Sequence, residues 1–300
     1  MARMLMELEG AEPRKGFIET MEPTMIKVKE GANKWSGCAL YDGKLYGAPF
    51  DAEEVLVLDI ATKEVSYIHT HRTGTSKWCG IVVHGDRLFC APCHAKEVLV
   101  IYPSGRKVEF IDTQDATIFK WHGIVAHGAH LYCAPHHSDK VLVIEAATHK
   151  LEYIDTGISA GGKWYGIAAL GDKLYCAPFH AQTMLVVDTC LHQLSFIPIG
   201  RSLSSQWSGI VAWGDMLVCA PYKRREVLIV HPAQEEVRLI PTGTLGGAAD
   251  IMWDGVVVCS GALWCAPAGA DRVLCVDPAV DPEHGEPLST VQCRARRGYS

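Results

Sequence analysis

Several common functional classes are excluded by what this chain lacks. No apolar run approaches the ~18 residues that a membrane-spanning helix needs, so no insertion into a membrane is expected. There is no excess of basic charge: 28 Lys and Arg stand against 34 Asp and Glu, a net charge of −6. Nucleic-acid binding usually leaves a basic footprint, so no nucleic-acid partner is expected. Met1 to Gly10 carries two acidic residues and no long apolar core, so it does not read as a secretory signal. Only Cys90 and Cys93 have Cys-x-x-Cys spacing, and no second pair completes a zinc site. No stretch shows the apolar periodicity of a helix, and no serine nucleophile is expected.

What the chain has instead is a repeat. Trp, one variable residue and Gly recur as Trp35-Ser36-Gly37, Trp78-Cys79-Gly80, Trp121-His122-Gly123, Trp164-Tyr165-Gly166 and Trp207-Ser208-Gly209, at a constant 43 residues. A sixth copy, Trp253-Asp254-Gly255, follows after 46. Fourteen positions past each Trp stands a Pro: Pro49, Pro92, Pro135, Pro178, Pro221 and Pro267. A period of this size marks a repeat architecture.

Each period reads as four short strands. In the fourth copy, Trp164 to Leu170 is an apolar run, Gly171-Asp172 is a two-residue hairpin signal, and Lys173 to Pro178 returns. Thr183 to Asp188 is a third strand and Leu194 to Ile197 a fourth. The third strands, such as Val98-Leu99-Val100-Ile101, are unbroken apolar runs, which suits burial on both faces. Radial repetition of four-stranded antiparallel blades is a β-propeller. The expectation is an all-β, six-bladed propeller, one domain over residues 1–280 with a C-terminal tail over 281–300. Lys15 to Thr20 resembles the fourth strands and is expected to complete the last blade by pairing with Val273 to Asp277. Ser289 to Cys293 is a rival for that place, and a seventh blade built from both ends is an alternative.

Val141 to Glu145 followed by Tyr153-Ile154-Asp155-Thr156 resembles the repeat of YVTN- and NHL-like propellers. The Lys-Trp-x-Gly and Tyr-Cys-Ala-Pro elements look like uncharacterised propellers of marine protists. The resemblance implies the fold and little about activity. Related propellers include gluconolactonase-like hydrolases, peptide-amidating lyases and streptogramin lyases, but their metal-ligand motifs do not stand here in a transferable form.

Topology directs the search for function to one face, where the loops entering the first strands and leaving the second strands gather. That face is expected to carry Lys34, Lys77, Lys120, Lys163, His94, His137, His180 and Lys223, a basic mouth on an acidic chain that would focus an anionic small ligand or protein partner. The competing reading makes these residues structural, with the lysines paired to Asp112 or Asp155. His122, His136 and His137 are the best local cluster for a metal. No cofactor is predicted beyond that one opening for a divalent ion. The six Trp are read as packing anchors. Cys90, Cys133, Cys176, Cys219 and Cys265 share one repeat position, too widely separated for disulfides, and are read as buried thiols of a reducing compartment such as the cytoplasm. The reading is a monomeric binding or scaffold propeller, with a metal-dependent hydrolase or lyase as the alternative.

Overall fold

Six four-stranded antiparallel sheets follow one another along the chain in the computed structural model, which describes residues 26–200, 205–242, 251–259 and 261–276 and the backbone of Leu288–Gln292. The blades span residues 35–69, 78–112, 121–155, 164–198, 207–241 and 253–292, and the described residues contain strands but no helix. The protein is a six-bladed β-propeller. Each blade opens on its Trp, and the inner strands are Trp35–Tyr41, Trp78–His84, Trp121–His127, Trp164–Leu170, Trp207–Trp213 and Trp253–Cys259.

The Trp performs two tasks. Its indole Nε1 donates to the carbonyl of the residue 19 positions on, at 2.7–2.8 Å, in all six blades: Glu54, Glu97, Lys140, Thr183, Glu226 and Arg272. That bond ties the inner strand to the start of the third strand. From blade two to blade six the ring is wholly buried and lies in the apolar cluster shared with the preceding blade. Removing roughly 200 Å² of aromatic surface from water contributes about 5 kcal/mol per Trp as an upper estimate.

Five such clusters fill the seams from blade one/two to blade five/six. In the second, Phe89, Ala91, Val98 and Val100 of one blade meet Trp121, Leu131, Cys133, Leu142 and Ile144 of the next. Cys90, Cys133, Cys176, Cys219 and Cys265 sit in these clusters as buried free thiols. Burial raises the thiol pKa of every one of them, so they stay protonated at neutral pH.

A backbone relay also runs from blade to blade. Lys77 N–H donates to Phe50 O, Cys93 N–H to Lys77 O, Lys120 N–H to Cys93 O and His136 N–H to Lys120 O. It continues through Lys163, Phe179, Gln206, Tyr222 and Met252 to Ala268. The seam between blades six and one differs. Among the described residues no apolar cluster spans it, and Leu40, Val257 and Val258 remain exposed.

The last blade is completed differently from the sequence expectation. Its fourth strand is Leu288–Gln292, paired with Arg272–Val276 through Arg272↔Gln292 and Val276↔Leu288. The rival segment, Ser289 to Cys293, which lies in the stretch set aside as a tail, therefore supplies the strand. Lys15 to Thr20, expected at that edge, lies outside the described residues.

Candidate ligand site at the axis

The lysines before each Trp do not form a charged mouth. Lys77, Lys120 and Lys163 are 3%, 0% and 2% exposed. Lys120 Nζ donates to Ala95 O at 2.7 Å, Thr117 O at 2.9 Å and Cys93 O at 3.5 Å. Lys77 Nζ donates to Gly74 O at 2.8 Å and Phe50 O at 3.1 Å. Lys163 Nζ donates to Ala160 O at 2.6 Å, with Asp139 Oδ1 at 3.7 Å. Each ammonium is thus latched to carbonyls of its own entry loop or of the preceding blade, and Asp112 and Asp155 are not its partners. Desolvation lowers the pKa of all three. Lys34 is half-buried and donates to Lys29 O at 2.6 Å. Lys223 is the exposed member of the set. Gln206 takes the lysine position in blade five, its Nε2 donating to Ala181 O at 3.0 Å, and Met252 takes it in blade six.

The three histidines after Ala-Pro are kept apart by the loops between blades. Phe119 stands between His94 and His137, with ring centroids 4.2 and 5.4 Å from them. The Gly161-Gly162 turn lies against both His137 and His180, so closely that a Cβ on Gly162 would fall 2.5 Å from His180 Nδ1. The expected metal trio does not converge either. His136 stacks on His137 at 5.0 Å and spends its Nδ1 on Trp164 O at 3.0 Å, while His122 meets His136 edge-on at 5.6 Å. Among the described residues no group of three His, Cys, Asp or Glu side chains has metal-binding geometry, so that expectation is corrected. Burial lowers the pKa of His94, His137 and His180, with neighbouring lysines adding to the effect.

The Gly-x-Ser-x-Gly spacing does occur once, in Gly157-Ile158-Ser159-Ala160-Gly161, contrary to the expectation of no serine nucleophile motif. Ser159 is exposed in an inter-blade loop and donates to Asp139 Oδ2 at 2.8 Å. The strand-to-helix turn that gives such a serine its reactivity is missing there.

The polar side chains that do converge stand at the variable position between Trp and Gly. In every blade the register of the inner hairpin slips at this point: Trp164 pairs with Pro178 but Ile167 with Cys176. The extra residue makes a β-bulge, which re-aims a side chain. In the first five blades the glycine that follows is fixed by close approach, while Gly255 of blade six has open space and a positive φ of 78°. A Cβ on Gly166 would lie 2.7 Å from Ser208 O of the next blade, and one on Gly209 would lie 2.8 Å from Gly255 Cα. The inner strands therefore crowd the axis at the glycines, while the six bulged side chains gather beside them: Ser36, Cys79, His122, Tyr165, Ser208 and Asp254.

Their mutual contacts establish the convergence. His122 and Tyr165 stack with centroids 3.6 Å apart. Cys93 and Ser36 both lie close enough to Cys79 to act on its thiol. Asp254 of blade six acts electrostatically on Cys79 of blade two and Tyr165 of blade four, and blades so separated in the ring meet only across the axis. His122, Tyr165 and Asp254 are enclosed by protein yet still partly accessible, as lumen-lining groups are. Burial lowers the His122 pKa to about 3 and, against its bond to Trp164 O, that of His136 to about 4. Burial raises the Tyr165 phenol, with Asp254 adding to it. Burial also raises the Asp254 carboxyl, against the lowering effect of Ser208 and the Gly255 N–H. Phe179 and Tyr222 continue the wall: Tyr165–Phe179 5.1 Å, Phe179–Tyr222 5.4 Å and Tyr165–Tyr222 6.4 Å.

No protein-family model matches the chain, and no curated protein sequence matches it. Solved structures do. The virginiamycin B lyase of Staphylococcus aureus superposes with a TM-score of 0.72 at 11% identity, over 88% of this chain and 85% of that one. A streptogramin B lyase gives 0.72 at 13% identity, over 90% and 87%. The hydrazine synthase of Kuenenia stuttgartiensis gives 0.63 at 14% identity, over 83% and 78%. At these identities the likeness concerns the fold alone, a β-propeller. No helix among the described residues is long and apolar enough to cross a membrane.

Proposed function

We propose that this protein is a binding propeller for a small molecule, and that the ligand enters the axial end where Ser36, His122, Tyr165 and Asp254 remain partly accessible, with Cys79 and Ser208 buried behind them. One observation carries the reading. The repeat holds the Trp and the Gly constant and varies the residue between them, and the bulge turns that residue to the axis in every blade. A slot that served packing alone would repeat as its neighbours do. The buried thiols support a reducing compartment.

The test is a thermal-shift screen of small polar and aromatic compounds against the wild-type protein and Ser36→Phe, which fills the lumen. Compounds that bind here raise the wild-type melting temperature and leave the filled variant unmoved. Stabilisers that act equally on both proteins would overturn the reading.

A lyase or hydrolase is the second reading. A carboxyl, an imidazole and a phenol share one enclosed space with their pKa values pushed apart, which is the arrangement that acid–base chemistry exploits. Lyases also stand among the structural neighbours. Consumption of a stabilising compound over time, lost in Asp254→Asn, would favour it over simple binding.

A further inference from the structure

Three of the lysines expected at this mouth are turned away from it, and Lys223 is the exposed one that remains on this face. Lys77, Lys120 and Lys163 point into carbonyls, and the desolvated imidazole of His122 is neutral at pH 7. Asp254 remains. Its carboxyl interacts with Ser208 and the Gly255 N–H, and no basic side chain pairs with it among the described residues. The Ser208 hydroxyl lies 3.4 Å from Trp253 O as well, so it is shared. A buried carboxylate without a counter-ion is costly and is normally paired. Two phenols, Tyr165 and Tyr222, feel its field, and with Phe179 they form an aromatic wall beside it. Cations are drawn to aromatic faces, most strongly where water is excluded. Among the described residues no Lys or Arg acts on Asp254, Tyr165 or Tyr222, so an anion would meet the carboxyl and these ring faces without a counter-charge.

We infer that the ligand is a small organic cation, an amine or ammonium compound whose nitrogen sits against Asp254 and whose body lies on Tyr165, Phe179 and Tyr222. The inference rests on the proposed axial site and replaces the anionic ligand expected from the sequence. Asp254 supplies the charge, Ser208 holds the carboxyl, and the aromatic wall selects an apolar body of limited size.

The test is calorimetric titration at pH 7.5 with three probes of one shape: benzylamine, benzyl alcohol and benzoate. Benzylamine is expected to bind at least tenfold more tightly than benzyl alcohol, and benzoate more weakly than either. Asp254→Asn should bring benzylamine down to the level of benzyl alcohol. Tyr222→Leu should weaken benzylamine severalfold while Asp254 stays in place, and the melting temperature of each variant reports whether it folds. Benzyl alcohol or benzoate binding as well as benzylamine would overturn the cation inference, and if Ser36→Phe abolished that binding the axial site itself would stand. Undiminished benzylamine binding in Asp254→Asn, or no benzylamine binding to the wild type, would equally overturn it, while the compound screen judges the axial site separately.

Discussion

Replacing Lys120 by Met tests whether the lysines are latches or a ligand surface. The side chain is 0% exposed, and its ammonium bridges Ala95 O of blade two to Thr117 O of its own entry loop at 2.7 and 2.9 Å. Hydrogen bonds to a charged group contribute about 1.5–3 kcal/mol each, and a buried carbonyl left without a donor costs about 1–3 kcal/mol. Burial of the ammonium offsets part of this, as the lowered Lys120 pKa indicates. The net expected loss is about 3 kcal/mol, or a melting temperature lower by roughly 6 °C, taking ~2 °C per kcal/mol for a chain of this size. Met fits the space, because Met252 occupies the same repeat position in blade six at 1% exposure. Lys120→Gln is the matched control: Gln206 already donates to Ala181 O from this position, so about 1 kcal/mol should be lost. Urea unfolding of the three proteins measures the series. A Met variant as stable as the wild type, or one that folds normally but loses ligand binding, would refute the latch.

Two further effects follow from the same geometry. His122 is neutral in the native state with a pKa of about 3 against 6.5, so only the unfolded state gains its proton as pH falls below 6.5. The stability present above pH 6.5 should fall by about 1.4 kcal/mol per unit below it for this group, and the melting temperature of His122→Phe should fall less between pH 7 and pH 4.5; parallel curves would refute the assignment. Gly166→Ala places a Cβ 2.7 Å from Ser208 O, forcing two inner strands apart, and should cost about 1–3 kcal/mol in urea unfolding, as overpacking does, whereas Gly171→Ala, at an open hairpin tip where only the positive φ of 60° opposes it, should cost about 1 kcal/mol.

The blades were legible because a period of 43 residues leaves little freedom. Trp, Gly and Ala-Pro mark the inner hairpin, and the third strands reveal double burial by their unbroken apolar runs. The completion of blade six was legible only as a choice between two segments, of which the C-terminal one proved right. Leu288–Gln292 is separated from the third strand by residues 277–287, and a fourth strand has no signature beyond apolar-polar alternation, which Phe17 to Thr20 imitates. The lysines misled for a different reason. Sequence shows their charge but not where the ammonium ends, and loop carbonyls that collect it leave no trace in residue identity. A usable signal was present nonetheless: Gln206 and Met252 stand at the same repeat position. A site that needs positive charge does not accept methionine in one of six copies, while a latch to carbonyls tolerates a neutral donor and, with some loss, an apolar filler.

The same comparison across copies separates scaffold from site. At the Trp all six blades agree, because each indole must reach a carbonyl at a fixed distance and all but the first fill a seam. At the following Gly five blades leave no room for a Cβ where the inner strands crowd, and in the sixth Gly255 takes a positive φ of 78°. Between these two fixed points the bulge releases one side chain from both constraints, and there the blades diverge into hydroxyl, thiol, imidazole, phenol and carboxyl. Packing cannot account for a carboxyl in that series, since burial raises its pKa and among the described residues no basic group repays the cost. A group held at an energetic disadvantage in the free protein is one whose balance a ligand can restore. Binding of a cation to Asp254 should therefore lower the carboxyl pKa, and the affinity should fall as pH drops through the raised value of the free protein.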